Sequence, residues 1–182
     1  MEATVKLKRY QLVIALALIA VGVLMRVLPH PANFAPVTAL ALFGGAVLPR
    51  RYAVLVPLGA MMISDTIIGW YNLMPVTWAC YVLIALASSS WLRGHSIRRG
   101  VELTLGASVF FFVVTNFAVW VGGGLYPHTI AGLQRCYVLA LPFFRNTALS
   151  DMIYTASLFS LYALATKAGA RLFYAHQQRN AT

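Results

Sequence analysis

The sequence predicts an all-α integral membrane protein, a single bundle of six transmembrane helices. Three observations predict it. The 182 residues are 60% hydrophobic and only 10% charged, with a mean hydropathy of +0.76, whereas a soluble domain is about one quarter charged. The apolar residues fall into runs close to the ~20 residues that cross a hydrocarbon core. The charges are lopsided, 14 Lys and Arg against 4 Asp and Glu for a net +10, and the cations punctuate the runs instead of forming one face.

The first run, Tyr10 to Leu28, is interrupted only by Gln11 and Arg26. It follows a basic stretch, as a signal peptide would. Arg26, Pro29, His30 and Pro31 stand where a small-residue cleavage site belongs, so an uncleaved helix is expected. The second, Pro36 to Leu48, is short and broken at Gly44-Gly45. The third is Tyr52 to Trp70, with Asp65; the fourth is Pro75 to Leu92, with Cys80. The fifth is Val101 to Val121, with Glu102 and Asn116, and the last is Thr147 to Phe173, with Asp151. Ile130 to Phe143 is apolar over 14 residues. Too short to span comfortably and interrupted by Arg135, it is expected to be a separate interfacial or capping helix in the outer loop between helices 5 and 6.

Lys6, Lys8, Arg9, Arg50, Arg51, Arg93, Arg98, Arg99, Lys167, Arg171 and Arg179 lie on one side of these runs. Only Arg26, Arg135 and Arg145 fall on the other. The positive-inside rule then puts both termini in the cytoplasm. Because the cations are spread over four segments, no nucleic-acid face is expected. The chain has no Walker, Rossmann or zinc-finger spacing, so ATP hydrolysis by the usual phosphate-cradling loop is excluded.

Polar residues inside such runs are costly and usually face the bundle interior. Asp65 lies five residues before the outer end of its helix, Cys80 five after the start of the next and Asn116 five from an outer end. At 1.5 Å per residue these sit roughly 8 Å deep, and Asp151, four residues into the last run, is at a similar depth. This ring is a candidate pocket opening outward. The outer loops supply a lid: Pro29-His30-Pro31-Ala32-Asn33-Phe34, Trp70-Tyr71-Asn72, and Trp120 through Tyr126-Pro127-His128 with its Gly122-Gly123-Gly124 joint.

Each group also has a structural reading. The rings can form an interfacial aromatic belt. Asp65 can serve as a cap or an ion-pair partner, for instance of Arg145. Asp151 can bond the N-terminus of its own helix, and Asn116 can hold two helices together. His30 can be an exposed loop histidine and Cys136 a packing residue. Cys80 can be a small buried hydrophobe, half of a disulfide with Cys136, or a soft metal ligand. A single cysteine cannot build a tetrahedral zinc site, but it can supply one axial ligand to a metal already held by a macrocycle.

Several of these motifs are similar to those of the BtuM family, solitary S components of the energy-coupling-factor type associated with vitamin B12 uptake in Gram-negative bacteria. They are His30-Pro31-Ala32-Asn33-Phe34-Ala35-Pro36 followed by Ala39 to Ala46, Ser64-Asp65, Cys80, Gly123-Gly124-Leu125-Tyr126-Pro127, and Pro142-Phe143-Phe144-Arg145-Asn146-Thr147. The resemblance implies an S-component-like bundle in the bacterial inner membrane. Cobalamin would be its cargo, with Cys80 an axial cobalt ligand able to assist removal of an upper ligand such as cyanide. Around it would stand His30, Asn33, Phe34, Asp65, Tyr71, Asn116, Tyr126, Arg145 and Asp151. Ala15, Ala17, Ala20 and Gly22 do not match the Ala-x-x-x-Ala pattern with which S components dock on an energising module, which fits a solitary mode. Other readings stay open: an S component for a different vitamin, an intramembrane thiol enzyme using Cys80 with Asp65, Asp151 or His30 as base, and a structural subunit that binds nothing.

Overall fold

Why the second helix is short, and what surrounds it, explains most of the architecture. In the computed structural model, which describes residues 2–92, 97–122 and 124–179 (without the side chains of 2–8, 97 and 169–179), the chain forms six helices. They are α1 (Glu2–Val27), α2 (Val37–Val47), α3 (Arg50–Ile68), α4 (Met74–Trp91), α5 (Ile97–Gly122) and α6 (Ile130–Arg179). No strand occurs among the described residues. Pro36 precedes the first turn of α2, and Pro49 restricts Leu48 to the extended backbone that ends it. Eleven residues span about 16 Å. Every position from Val37 to Gly45 is buried, as expected of a helix that is apolar all round. α2 is the axis of the bundle, packed by α3, α4 and α6 and touched by α1 and α5.

The other five helices contain segments long and apolar enough to cross a membrane: Arg9–Val27, Arg50–Ile68, Met74–Trp91, Arg98–Gly122 and Ile130–Ala168. The distribution of polarity agrees. Leu16, Ile67, Val109 and Ile153 are exposed, whereas Thr38, Ser64, Asp65, Ser88, Ser108, Ser150 and Asp151 are buried. Apolar surface outside and hydrogen-bonded polar groups inside is the pattern that lipid imposes. The chain is thus compatible with a multi-pass membrane protein.

Close packing around α2 uses missing side chains. A Cβ on Gly45 would lie 2.6 Å from the Ala85 carbonyl oxygen and 2.6 Å from Ser88 Cβ. The bare backbone lets Ser88 Oγ donate to the Leu42 carbonyl across the α2–α4 seam at 2.5 Å.

One element departs from the sequence expectation. The stretch from Ile130 to Phe143 is not a separate capping helix; it is continuous with the last span in the 50-residue α6. Pro142 lies inside α6 and removes one backbone donor without ending it. The apolar segment Ile130–Ala168 alone is 39 residues, close to 58 Å of helix, nearly twice the hydrocarbon thickness. The connection between α5 and α6 therefore shrinks to residues 123–129, of which Gly123 lies outside the described residues, as does Arg93 in the α4–α5 connection.

Candidate functional site: a cavity with two buried carboxylates

A cavity of about 540 Å³ opens at the end of the bundle carrying the α1–α2, α3–α4 and α5–α6 connections. All six helices contribute to it. Arg26, His30, Asn33 and Thr38 form one side and Tyr71, Thr77 and Tyr81 another. Phe111, Phe112, Thr115 and Asn116 come from α5, and Phe143, Phe144, Thr147 and Asp151 from α6. Tyr81 stacks on Phe111 with centroids 4.9 Å apart, and Phe112 meets Phe144 at 4.7 Å. The volume falls in the range of small-molecule sites, and an aromatic wall with a few convergent polar groups is their usual composition.

The first polar group is built around Asp65. Its Oδ1 lies 2.7 Å from Arg26 Nη2, and its Oδ2 accepts from Trp78 Nε1 at 2.8 Å. Arg26 Nη1 also donates to Ser64 Oγ at 2.5 Å. Asp65 is therefore spoken for by α1 and α4 and does not line the cavity; what it presents there is Arg26. This corrects the expected pairing with Arg145, which is exposed. In the sequence Arg26 counts as an interruption of a span, a topology cation and an argument against cleavage, not as a site residue, although a lone cation near the end of an apolar run was the signal that could have found it.

The second group is Asp151, 1% exposed. It accepts from Ser108 Oγ on α5 at 2.6 Å and from the Thr38 side chain on α2. Because α6 begins at Ile130, Asp151 is mid-helix and cannot cap its own N-terminus, so the helix-terminus reading is corrected too. Thr38 and Ser108 were missed. Hydroxyls inside apolar runs carry no mark until the helices that pair them are known.

The remaining positions are dispersed. Asn116 lines the cavity, but its Nδ2 donates to the Phe112 carbonyl of its own helix at 2.8 Å, so it does not tie two helices together. Asn33 lines it from the left-handed region (φ 58°), which Asn tolerates. His30 sits at the rim, Nδ1 2.8 Å from the Pro31 carbonyl and Nε2 3.2 Å from that of Arg26. Tyr71 is also at the rim. Burial holds its phenol above the usual range, with Asp65 adding in the same direction, while a hydrogen bond with Thr77 and the charge of Arg26 oppose.

Phe34 packs edge-on against Tyr154 at 5.8 Å, and Asn146 Nδ2 donates to the Ala32 carbonyl at 3.0 Å. These contacts pin the α1–α2 connection to α6. Phe34, Tyr126 and Arg145 are not among the lining residues.

Cys80 is buried and lies outside the cavity lining. Cys80, Ile84 and Ser88 recur at helical spacing on one buried stripe of α4, the stripe whose Ser88 bonds α2, while the adjacent Thr77 and Tyr81 line the cavity. In helical angle the thiol falls between the lining residues Val76 and Thr77, one turn further along α4, and is buried without lining the cavity itself. Cys136 is buried, with Sγ 3.4 Å from the Asn116 carbonyl, and both cysteines are free thiols. Among the described residues no group of three or more His, Cys, Asp and Glu converges to hold a metal ion.

Fold and site together define a helical, membrane-compatible bundle with a small-molecule cavity at one end. The chain belongs to DUF6580, a family of unknown function, which matches residues 6–173. No curated protein matches it, and no solved structure does.

Proposed function

We propose that this protein is a solitary carrier of the S-component type in a bacterial inner membrane, with six membrane helices and both termini cytoplasmic. Its cavity faces outward and binds cobalamin for uptake. The observation that carries the reading is the position of the cavity, opposite the end that bears exposed Arg50, Arg51, Arg98 and Arg99. By the positive-inside rule that basic end is cytoplasmic, so the cavity meets cargo arriving from outside. α2, enclosed by its neighbours, serves as the floor of the site. The choice of cobalamin rests on the resemblance of the loop motifs and Cys80 to the BtuM family.

In this reading the corrin supplies the cobalt and its ligand chemistry, while the chain binds and orients it. Arg26 offers donors to carbonyl groups of the cargo, and the aromatic wall covers its apolar faces. Cys80, buried and outside the lining, would offer its thiol to cobalt only with a shift of the neighbouring lining of α4. The purified chain should carry corrinoid absorbance, and Cys80→Ser should shift that spectrum. Protein that binds no cobalamin would refute the ligand, and identical spectra for wild type and variant would refute the role of the thiol.

The burial of Cys80 outside the cavity lining favours a second reading, in which the same carrier takes a different vitamin-sized molecule without thiol ligation. Rescue of growth in a strain unable to import vitamin B12 separates the two.

A further inference from the structure

The two carboxylates at the cavity are not equivalent. Among the described residues Asp65 has a cationic partner and Asp151 has none; the ion pairs there are Arg26–Asp65 and Arg98–Glu102. An ionised carboxylate without a cation is costly at this depth, and only two hydroxyls, on Thr38 and Ser108, approach it.

The hydrogen-bond geometry at Ser108 is more specific. Ser108 Oγ lies 2.6 Å from Asp151 Oδ2 and 3.0 Å from the Thr104 carbonyl oxygen. Both neighbours are acceptors when Asp151 is ionised, yet a hydroxyl has a single proton to give. Both contacts are satisfied together only when Asp151 carries a proton. Its O–H then donates to Ser108 Oγ, and Ser108 donates on to the Thr104 carbonyl. With Asp151 ionised, Ser108 turns its proton to the carboxylate and leaves the carbonyl without that partner. One helical turn further along α6, Thr155 is 7% exposed and its hydroxyl has no partner among the described residues.

Among the described residues no charged group pairs with Asp151; His30 shares the cavity but stands at its rim beside the Pro31 and Arg26 carbonyls. α2 has no titratable residue between Val37 and Val47. On α5 the charged residues, Arg98, Arg99 and Glu102, lie at the opposite end from the cavity. α4 contributes Tyr81 on the cavity wall and Cys80 beside it. α6 itself offers Tyr154, packed on Phe34, and the exposed Arg145. α1 presents Arg26, whose guanidinium is engaged by Asp65.

We infer that Asp151 is a proton-binding site in the cavity wall and that its occupancy is linked to filling of the cavity. The proton arrives from water in the cavity, which Asp151 lines, and returns there on release. Cargo that displaces this water removes solvation the ionised form needs. Binding therefore draws a proton onto Asp151, and affinity falls as pH rises. The linkage to cargo rests on the carrier reading above; the proton site itself does not.

Infrared spectroscopy of the ligand-free, full-length protein tests the site. A carboxylic-acid C=O band should disappear as pH is raised, be absent from Asp151→Asn, and shift in Ser108→Ala, which removes the acceptor without touching the cavity lining. Asp151→Glu keeps a titrating acid if the amide variant does not fold. Binding of cyanocobalamin, measured across the same pH range, tests the linkage: affinity should fall by up to tenfold per pH unit for one proton, and Asp151→Asn should flatten the dependence. The absence of a titrating band that depends on Asp151 overturns the site. Equal pH dependence in wild type and Asp151→Asn overturns the linkage. If cyanocobalamin fails to bind at every pH, cobalamin as the cargo and the linkage to it fail, while the infrared band still decides the proton site.

Discussion

The Arg26–Asp65–Trp78 group offers the sharpest energetic test, because it joins three helices through one carboxylate. Replacing Asp65 by Ala removes both oxygens that Arg26 and Trp78 use, at 2.7 and 2.8 Å. It leaves a guanidinium that is only 14% exposed without a counter-charge and an indole N–H without its acceptor. Breaking a buried pair from one side costs about 3–5 kcal/mol. Arg26 borders the cavity, where water can reach part of it, so the lower end applies, about 3 kcal/mol. For a chain of this size each kcal/mol moves the midpoint by about 2–4 °C, which gives a fall of about 6–12 °C. The assay is thermal unfolding of the detergent-solubilised protein. Arg26→Met should cost a similar amount, because it strands the carboxylate instead. The double replacement Arg26→Met/Asp65→Leu removes both charges and should recover more than half of the loss. A single Asp65→Ala within about 2 °C of wild type, or a double variant no better than the singles combined, would refute the view that this pair is buried and coupled.

Further outcomes follow from particular contacts. Gly45→Ala should destabilise by about 1–3 kcal/mol, since its methyl would collide with Ala85 and Ser88. Gly106→Ala, with nothing within 4 Å of the added carbon, should be neutral or stabilise by up to about 1 kcal/mol; paired melting curves check both. Cys80 should react slowly with a maleimide, and Tyr81→Ala should accelerate the reaction at least about tenfold by opening the wall beside it; mass spectrometry of the modified peptide reads this. In cells, a cysteine introduced by Asn72→Cys should be labelled by a membrane-impermeant reagent and one introduced by Arg51→Cys should not, as the charge asymmetry requires. The reverse pattern would invert the proposed orientation. Because burial raises Tyr71 above its usual range, the ionisation step in the ultraviolet difference between wild type and Tyr71→Phe should lie at higher pH than that of a free tyrosine measured alongside, and a step at or below the free one would refute the burial of its phenol.

What the sequence determined by itself was what depends on neighbours along the chain. Run lengths marked six apolar helical runs, because helix formation is local, and the same runs marked out Asp65 and Asp151 as buried carboxylates. The partners of those residues were decided only in three dimensions. Asp65 meets Arg26 instead of Arg145 because α1 packs along α3, which no spacing within one helix records. Asp151 is joined to Ser108 and Thr38 because α2 and α5 both pack on α6, and it is mid-helix because packing carries α6 through Pro142. Cys80, counted to the depth of Asp65, is buried and is not among the residues that line the cavity. Depth is set by distance along a helix and can be counted; the direction a side chain faces among six helices is set by the angle at which each helix is turned against its neighbours, and that is a property of the packed bundle alone.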